Sequence, residues 1–391
     1  MPNNSDAFAI ASPTVFDGEQ FHEDYCVVVR GKSIVQILPT AECPADIARI
    51  ILPTGILAPG LIDLQVNGGG DVMLHNAPSV AAIETIQAAH RGLGTTAMLP
   101  TLLSDSRDTQ KAAIDAVSAA CAGGNPGVLG LHIEGPYFNK EKRGAHSEDR
   151  IRPPTQQDVD WLSEPRDFTL VLTLAPEEVK LEHIQQLSNS GVVVCAGHTQ
   201  ASYARMSEAV AHGLQGVTHL YNAMGPVTAR EPGVIGATLD IEQLWAGIIA
   251  DGHHVHPASI RMAHHAKASG KLLLVSDAMA TVGGSQSSFT LYDEEVHEQD
   301  GRLVNAQGNL AGSTIGMIDA VRYCYQEVGI ALEECLRMAS LYPARAVKRE
   351  STLGRLCEGF RADLVHFDEN FQVHNTWLAG QQQSHHTFIK S

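Results

Sequence analysis

A chain of 391 residues with 44% hydrophobic and 18% charged residues can bury a substantial core without disulfide staples, and nothing in its composition fits a disordered or low-complexity protein. The formal net charge of −17 argues against nucleic acid or a membrane surface as partner, because both select for basic patches. An anionic small molecule would have to be met by a local cluster of donors. Seven cysteines (Cys26, Cys43, Cys121, Cys195, Cys324, Cys335 and Cys357) form no Cys-x-x-Cys pair and no framework spacing, which points to a reduced compartment. The stretch Met1 to Asp6 is polar and lacks a basic region or long apolar core, and no run reaches transmembrane length, so the expectation is a cytoplasmic protein.

Residues 7 to about 57 read as short strands, at 8–11, 26–29 and 33–37, with turn signals at Asp17-Gly18 and Gly31-Lys32. From Gly55 onward the texture changes to apolar runs alternating with Ala-rich segments. Runs near 61, at 95–100, 128–133, 168–174, 192–195, 216–219, 246–250 and 271–275 are separated by helical stretches such as 106–122, 177–189 and 201–212. Short apolar runs between helices mark a parallel sheet buried on both faces, and about eight of them predict a closed (β/α)8 barrel, with an open doubly wound sheet as the alternative. After one helix at 331–349 the chain returns to strands at 359–367 and 373–378, and Asp300-Gly301 is a further turn. The expected division is 1–57 with 359–391 as one small β-domain, and 58–358 as the barrel. Gly68-Gly69-Gly70 lacks the spacing of a nucleotide loop and reads as a tight turn, while His385-His386, in a polar tail, reads as solvated.

In such a barrel, catalytic groups sit at the C-terminal ends of strands. Glu134, His198, His219, His254 and Asp277 each close or follow an apolar run, so all five are expected at one mouth. One carboxylate and two imidazoles match a catalytic metal site, with three protein ligands and a position left for water. His132 shares the strand parity of Glu134 and is either a further ligand or a supporting partner. Asp277 reads as the carboxylate that exchanges a proton with water and a leaving amine, or otherwise as a helix N-cap. Arg230 offers bidentate geometry to a phosphate, or else forms a surface ion pair. The segments 219–225 and 250–254 look fit to hold a phosphate or polar sugar.

The motifs Ala58-Pro59-Gly60-Leu61-Ile62-Asp63, Leu131-His132-Ile133-Glu134-Gly135-Pro136, Ala196-Gly197-His198-Thr199, His219-Leu220-Tyr221-Asn222-Ala223-Met224, Arg230-Glu231-Pro232-Gly233, Ala250-Asp251-Gly252, Val275-Ser276-Asp277-Ala278 and Leu310-Ala311-Gly312-Ser313 span nearly the whole chain. Together they resemble the N-acetylglucosamine-6-phosphate deacetylase family of the amidohydrolase superfamily. The resemblance implies a (β/α)8 barrel with a small β-sandwich from both termini, assembled as a homodimer. It implies Glu134, His198 and His219 as metal ligands, Asp277 as catalytic acid and base, and His146 as the group that orients the substrate carbonyl. Ala145, Asn222, Ala223, Arg230, His254 and the Leu310, Ala311 and Gly312 backbone fall on substrate-binding positions, Arg230 and His254 near the phosphate, some of them shared across subunits. The chain has Gln65-Val66-Asn67 where most of the superfamily carries His-x-His, and an amide is a poor substitute for imidazole. One divalent ion per subunit is therefore expected, zinc first, with iron(II), cobalt or manganese as alternatives. The implied reaction is deacetylation of N-acetyl-D-glucosamine 6-phosphate. The alternatives are a related amidohydrolase on another N-acyl sugar or cyclic amide, and a non-catalytic sugar-phosphate-binding regulator.

Overall fold

The computed structural model describes residues 7–306 and 308–385. Eight parallel strands follow one another around a ring in chain order: Leu61–Val66, Thr95–Leu102, Gly130–Glu134, Thr169–Leu174, Val193–Ala196, Gly216–Val217, Trp245–Ile249 and Leu272–Val275. All six residues of the first strand and all eight of the second are buried, as expected of strands covered on both faces. The ring is nearly closed. The first and last strands meet only at their C-terminal ends, through the Val66–Ala278 bridge and the Asp277 N–H donating to Gln65 O at 3.0 Å. Asp63 reinforces this seam by accepting from the Gln65 and Ser276 backbone N–H groups, 3.2 Å each, and from the Ser276 hydroxyl. Burial pushes its carboxyl up to about 7.

The helices begin where the sequence supplies caps. Ser106 accepts from Thr109 N at the start of Arg107–Ala122, and Ser202 accepts from Arg205 N at the start of Tyr203–Ala211. The stretch expected as one helix at 331–349 is two, Leu332–Ala339 and Leu341–Ala346, broken at Ser340. Pro343 has no N–H to donate to the carbonyl four residues back, which favours a restart over a continuous helix.

Strands from both ends of the described chain form a second sheet of eight, mostly antiparallel, with Ala7–Phe16 paired to Phe21–Arg30 and Ile56–Pro59 paired to Leu364–Phe367. Its two faces carry separate apolar clusters that follow the period of two: Ile10, Val27 and Val29 in one, Ala9, Ala11, Cys26 and Val28 in the other. The turns at Asp17-Gly18 and Gly31-Lys32 join its hairpins. The expected strand at 359–367 is only Leu364–Phe367, because Gly359, at φ +84°, and the Arg361–Asp363 ion pair bend the residues before it. His385 is half-buried and 2.9 Å from the Thr376 hydroxyl, so it is bonded rather than solvated; Met1 to Asp6 and His386 lie outside the described residues.

A three-stranded antiparallel flap, Ser288–Leu291, Glu294–Gln299 and Arg302–Val304, follows the last barrel strand and was not expected from the sequence. Its Leu291, Val296 and Leu303 pack with Met73, Leu103, Met279 and Ala311 beside the barrel mouth. Asp300-Gly301 turns its second hairpin. The Gly68–Gly70 run forms the tight turn expected of it, pairing Gly68–Gly69 with Val72–Met73.

Candidate active site

The third strand ends at Glu134, the fifth just before His198, the sixth just before His219 and the eighth just before Asp277. Three of these residues, His198 (φ 50°), His219 (φ 35°) and Asp277 (φ 52°), adopt the left-handed backbone region that L-residues avoid. Such strain costs about 1–3 kcal/mol per residue and concentrates at functional sites. Glu134 Oε1 lies 3.0 Å from His219 Nε2 and 3.3 Å from His198 Nε2, and the two Nε2 atoms are 3.0 Å apart. The ligand atoms of this buried trio all lie within 4.8 Å of one another.

Hydrogen bonds behind the trio decide which lone pairs face it. His198 Nδ1 is 2.8 Å from the Lys142 carbonyl, which can only accept, so Nδ1 carries the proton and Nε2 is left with a lone pair. Burial, the largest influence on His198, favours the neutral ring that this requires. Burial opposes ionisation of Glu134, but the imidazoles of His198 and His219 against its carboxylate outweigh it and hold the carboxyl well below its usual range. His219 Nδ1 is buried without a partner among the described residues. A carboxylate and imidazole lone pairs converging this closely fit a divalent cation better than they fit one another.

His132 lies behind these residues, with Nδ1 3.1 Å from Leu64 O and Nε2 2.7 Å from the Thr173 hydroxyl, so it supports the third strand instead of joining the trio. Gln65 contributes directly. Its Nε2 donates to Glu134 Oε1 and to Asp277 Oδ1, 3.1 Å each, while Asn67 Nδ2 donates to the same Asp277 oxygen at 2.7 Å. Asp277 is partly buried; desolvation first, then the charge of Glu134, raises its carboxyl to about 6.

His146 joins the cluster, its ring edge-on to His198 at 4.6 Å between centroids. Its Nδ1 accepts the Ser104 backbone N–H at 3.1 Å, which places the ring proton on Nε2. Burial holds the imidazole well below its ordinary pKa, in the neutral form. Ser104 can approach this closely because Gly135 has no side chain: a Cβ there would stand 2.1 Å from the Ser104 hydroxyl oxygen.

The remaining residues singled out in the sequence form the surroundings. Ala145 and Ala311 belong to the apolar cluster under the flap. Leu310, Ala311 and Gly312 run beside Asp277, since Ser313 N donates to Asp277 O at 2.9 Å and a Cβ on Gly312 would meet that same oxygen at 2.9 Å. Asn222 folds back on His219 O at 3.3 Å, and the Ala223 carbonyl accepts from Thr199 N, next to His198. His254 Nδ1 lies 2.6 Å from Asp251 Oδ2. Arg230 stands apart, exposed on the loop before Gly233–Asp240, and it makes no ion pair among the described residues, contrary to the surface-pair alternative. Asp63, Ser104 and Asp251 were missed as supporting residues. Asp63 and Asp251 lie within motifs already quoted; Ser104, just past the second strand, had only its place at a strand end to mark it.

A carboxylate, paired imidazoles and a partly buried aspartate at the C-terminal mouth of a parallel barrel define a metal-dependent hydrolase. Residues 56–383 match the amidohydrolase family, and the chain belongs to it. It is 38% identical over 386 residues to an N-acetylgalactosamine-6-phosphate deacetylase of Shewanella sp. (strain ANA-3), covering 97% of each chain. It is 33% identical over 377 residues to an N-acetylglucosamine-6-phosphate deacetylase of Haemophilus influenzae, covering 96% of this chain and 98% of that one. The crystal structure of N-acetylglucosamine-6-phosphate deacetylase from Pasteurella multocida superimposes with a TM-score of 0.94 at 34% identity, over 97% of this chain and 100% of that one. Among the described residues, no helix is long and apolar enough to cross a membrane.

Proposed function

We propose that this enzyme hydrolyses N-acetyl-D-glucosamine 6-phosphate to D-glucosamine 6-phosphate and acetate, with one divalent ion held by Glu134, His198 and His219. The observation that carries the reading is Asp277, linked to Glu134 of that trio through the Gln65 amide and held by Asn67, with a carboxyl raised to about 6, where it can exchange protons in both directions near neutral pH. A bound cation, zinc first and iron(II), cobalt or manganese otherwise, supplies Lewis acidity toward water and the amide carbonyl. Asp277 takes the proton of the attacking water and returns it to the leaving amine. His146, neutral and protonated on Nε2, donates to the oxygen that gains charge as the carbonyl is attacked. Gln65 and Asn67 keep Asp277 aimed through both proton transfers.

Arg230 and His254 meet the 6-phosphate in this reading, with the Asn222, Ala223 and Leu310–Gly312 backbone on the sugar. Arg230 and Val227 stand exposed on one loop, which supports a homodimer whose partner covers it. Seven cysteines without a paired spacing support a reduced, cytoplasmic setting for the enzyme. The 38% identity to the Shewanella protein favours a second reading, the galacto epimer as substrate. An acetate-release assay on both N-acetylhexosamine 6-phosphates and on unphosphorylated N-acetylglucosamine, with metal content measured on the same sample, decides between them. Equal efficiency without the phosphate would reject the phosphate site, and no acetate from metal-loaded protein would reject the reaction.

A further inference from the structure

Ser104 is held from three directions. Its N–H donates to His146 Nδ1 at 3.1 Å, its hydroxyl donates to Glu134 O at 3.3 Å, and its carbonyl accepts the phenol of Tyr292 at 2.7 Å. The first two bonds stay within the barrel mouth, whereas the third comes from the flap. Tyr292 occupies the turn between Ser288–Leu291 and Glu294–Gln299, in the left-handed region at φ 49°. Its ring meets His75 edge-on at 4.5 Å, and His75 in turn lies 3.3 Å from Asp105, the residue after Ser104. These residues line a cleft of about 680 Å³, so the grip of the flap on Ser104 lies beside open space and not in the sealed core.

An imidazole with a proton on Nδ1 cannot accept the Ser104 N–H. The position of that one backbone group therefore selects the His146 tautomer that keeps its proton on Nε2, for which no partner exists among the described residues. The geometry points to Tyr292 as a positioning residue that acts through Ser104: when the flap is seated, its hydroxyl fixes Ser104 and thereby the donor tautomer of His146. Burial, then Asp105 and Glu134, raise the phenol further above its ordinary range, so the hydroxyl remains a donor. The catalytic consequence rests on the deacetylase reading above, while the tautomer does not.

Tyr292→Phe removes the hydroxyl and keeps the ring against His75. In the full-length zinc-loaded enzyme, kcat on N-acetylglucosamine 6-phosphate is expected to fall about three- to tenfold, the worth of one neutral hydrogen bond, with KM, metal content and thermal midpoint held. In a His146→Ala background the same change is expected to cost no further activity. In ligand-free protein, the histidine ¹⁵N spectrum is expected to show His146 as a single Nε2–H tautomer in the wild type and as a mixture in Tyr292→Phe. An unchanged kcat, an equal loss in the His146→Ala background, or a single tautomer surviving in Tyr292→Phe would each overturn the assignment. Should the wild type release no acetate, the deacetylase reading fails and the spectrum alone decides the role of Tyr292.

Discussion

Gln65 Nε2 lies 3.1 Å from Asp277 Oδ1, and the same nitrogen reaches Glu134 Oε1, so one uncharged amide links two carboxylates that would otherwise repel each other. It stabilises the ionised form of Asp277. Gln65→Leu should therefore raise that carboxyl further and move the acid limb of kcat/KM upward, by about one pH unit for one lost charge-assisted bond. A pH–rate profile measures this, and a limb that stays put or moves down contradicts the role.

Asp277→Asn keeps the size of the side chain and removes the proton acceptor. Turnover should fall by about 10²–10⁴-fold with metal content unchanged. In the wild type, activity should fall as pH drops through about 6, because Asp277 is then protonated before it meets the water. The limb should vanish in the residual activity of the variant.

Glu134 is the one anionic member of the trio. Glu134→Gln should lose metal and activity together, and prolonged chelation of the wild type should reproduce the loss, reversed on adding zinc. Elemental analysis beside the assay gives the answer; a variant with full metal occupancy refutes the ligand role.

Arg230→Ala should raise KM for the phosphorylated sugar about ten- to a hundredfold, the range of bonds to a charged group, and leave the unphosphorylated sugar unaffected. A variant that slows both sugars equally would place Arg230 in the scaffold instead.

Asp158 is a stability prediction remote from the site. Its side chain is fully buried and bonded to Arg152 at 2.7 Å, to the Thr155 hydroxyl at 2.7 Å and to Arg107. Burial alone would raise this carboxyl, but those bonds outweigh it and hold it below the ordinary carboxylate range. A group depressed in the folded state stabilises above its unfolded pKa and loses that contribution as pH falls. Asp158→Asn should cost about 2–3 kcal/mol near neutral pH, and its gap to the wild type should shrink below about pH 4. Thermal midpoints measured across that range would show it.

The barrel was legible because its strands are buried on both faces and so read as unbroken apolar runs. The ligand trio was legible because one Glu and two His each close or follow such a run, a set that points to a metal where any one of those histidines alone reads as structural, as His132 proves to be. The flap was hidden by its own chemistry: Glu294, Glu295 and Glu298 interleave with a single buried Val296, which resembles a solvated loop more than a strand. The break at Ser340 was masked by the helical pattern on either side of it. Gln65 and Asn67 could be read as the absence of a second metal position, but their positive role as donors to Asp277 depends on two strands 210 or more residues apart meeting at the seam.

That seam has a consequence for how the enzyme fails. Two of the bonds that join the first strand to the last, from Asp277 N to Gln65 O and from Gln65 Nε2 to Asp277 Oδ1, run through residues of the proposed active site, beside those that Asp63 makes to Ser276. The closing join of the barrel and the proposed proton-transfer residue are the same place. A brief parting of the seam leaves the helices and most of the sheet intact yet separates Asp277 from its donors. On slow heating, acetate release should therefore disappear before helical content does, and the Asp277 amide should exchange its hydrogen earlier than the amides in the middle of the neighbouring strands.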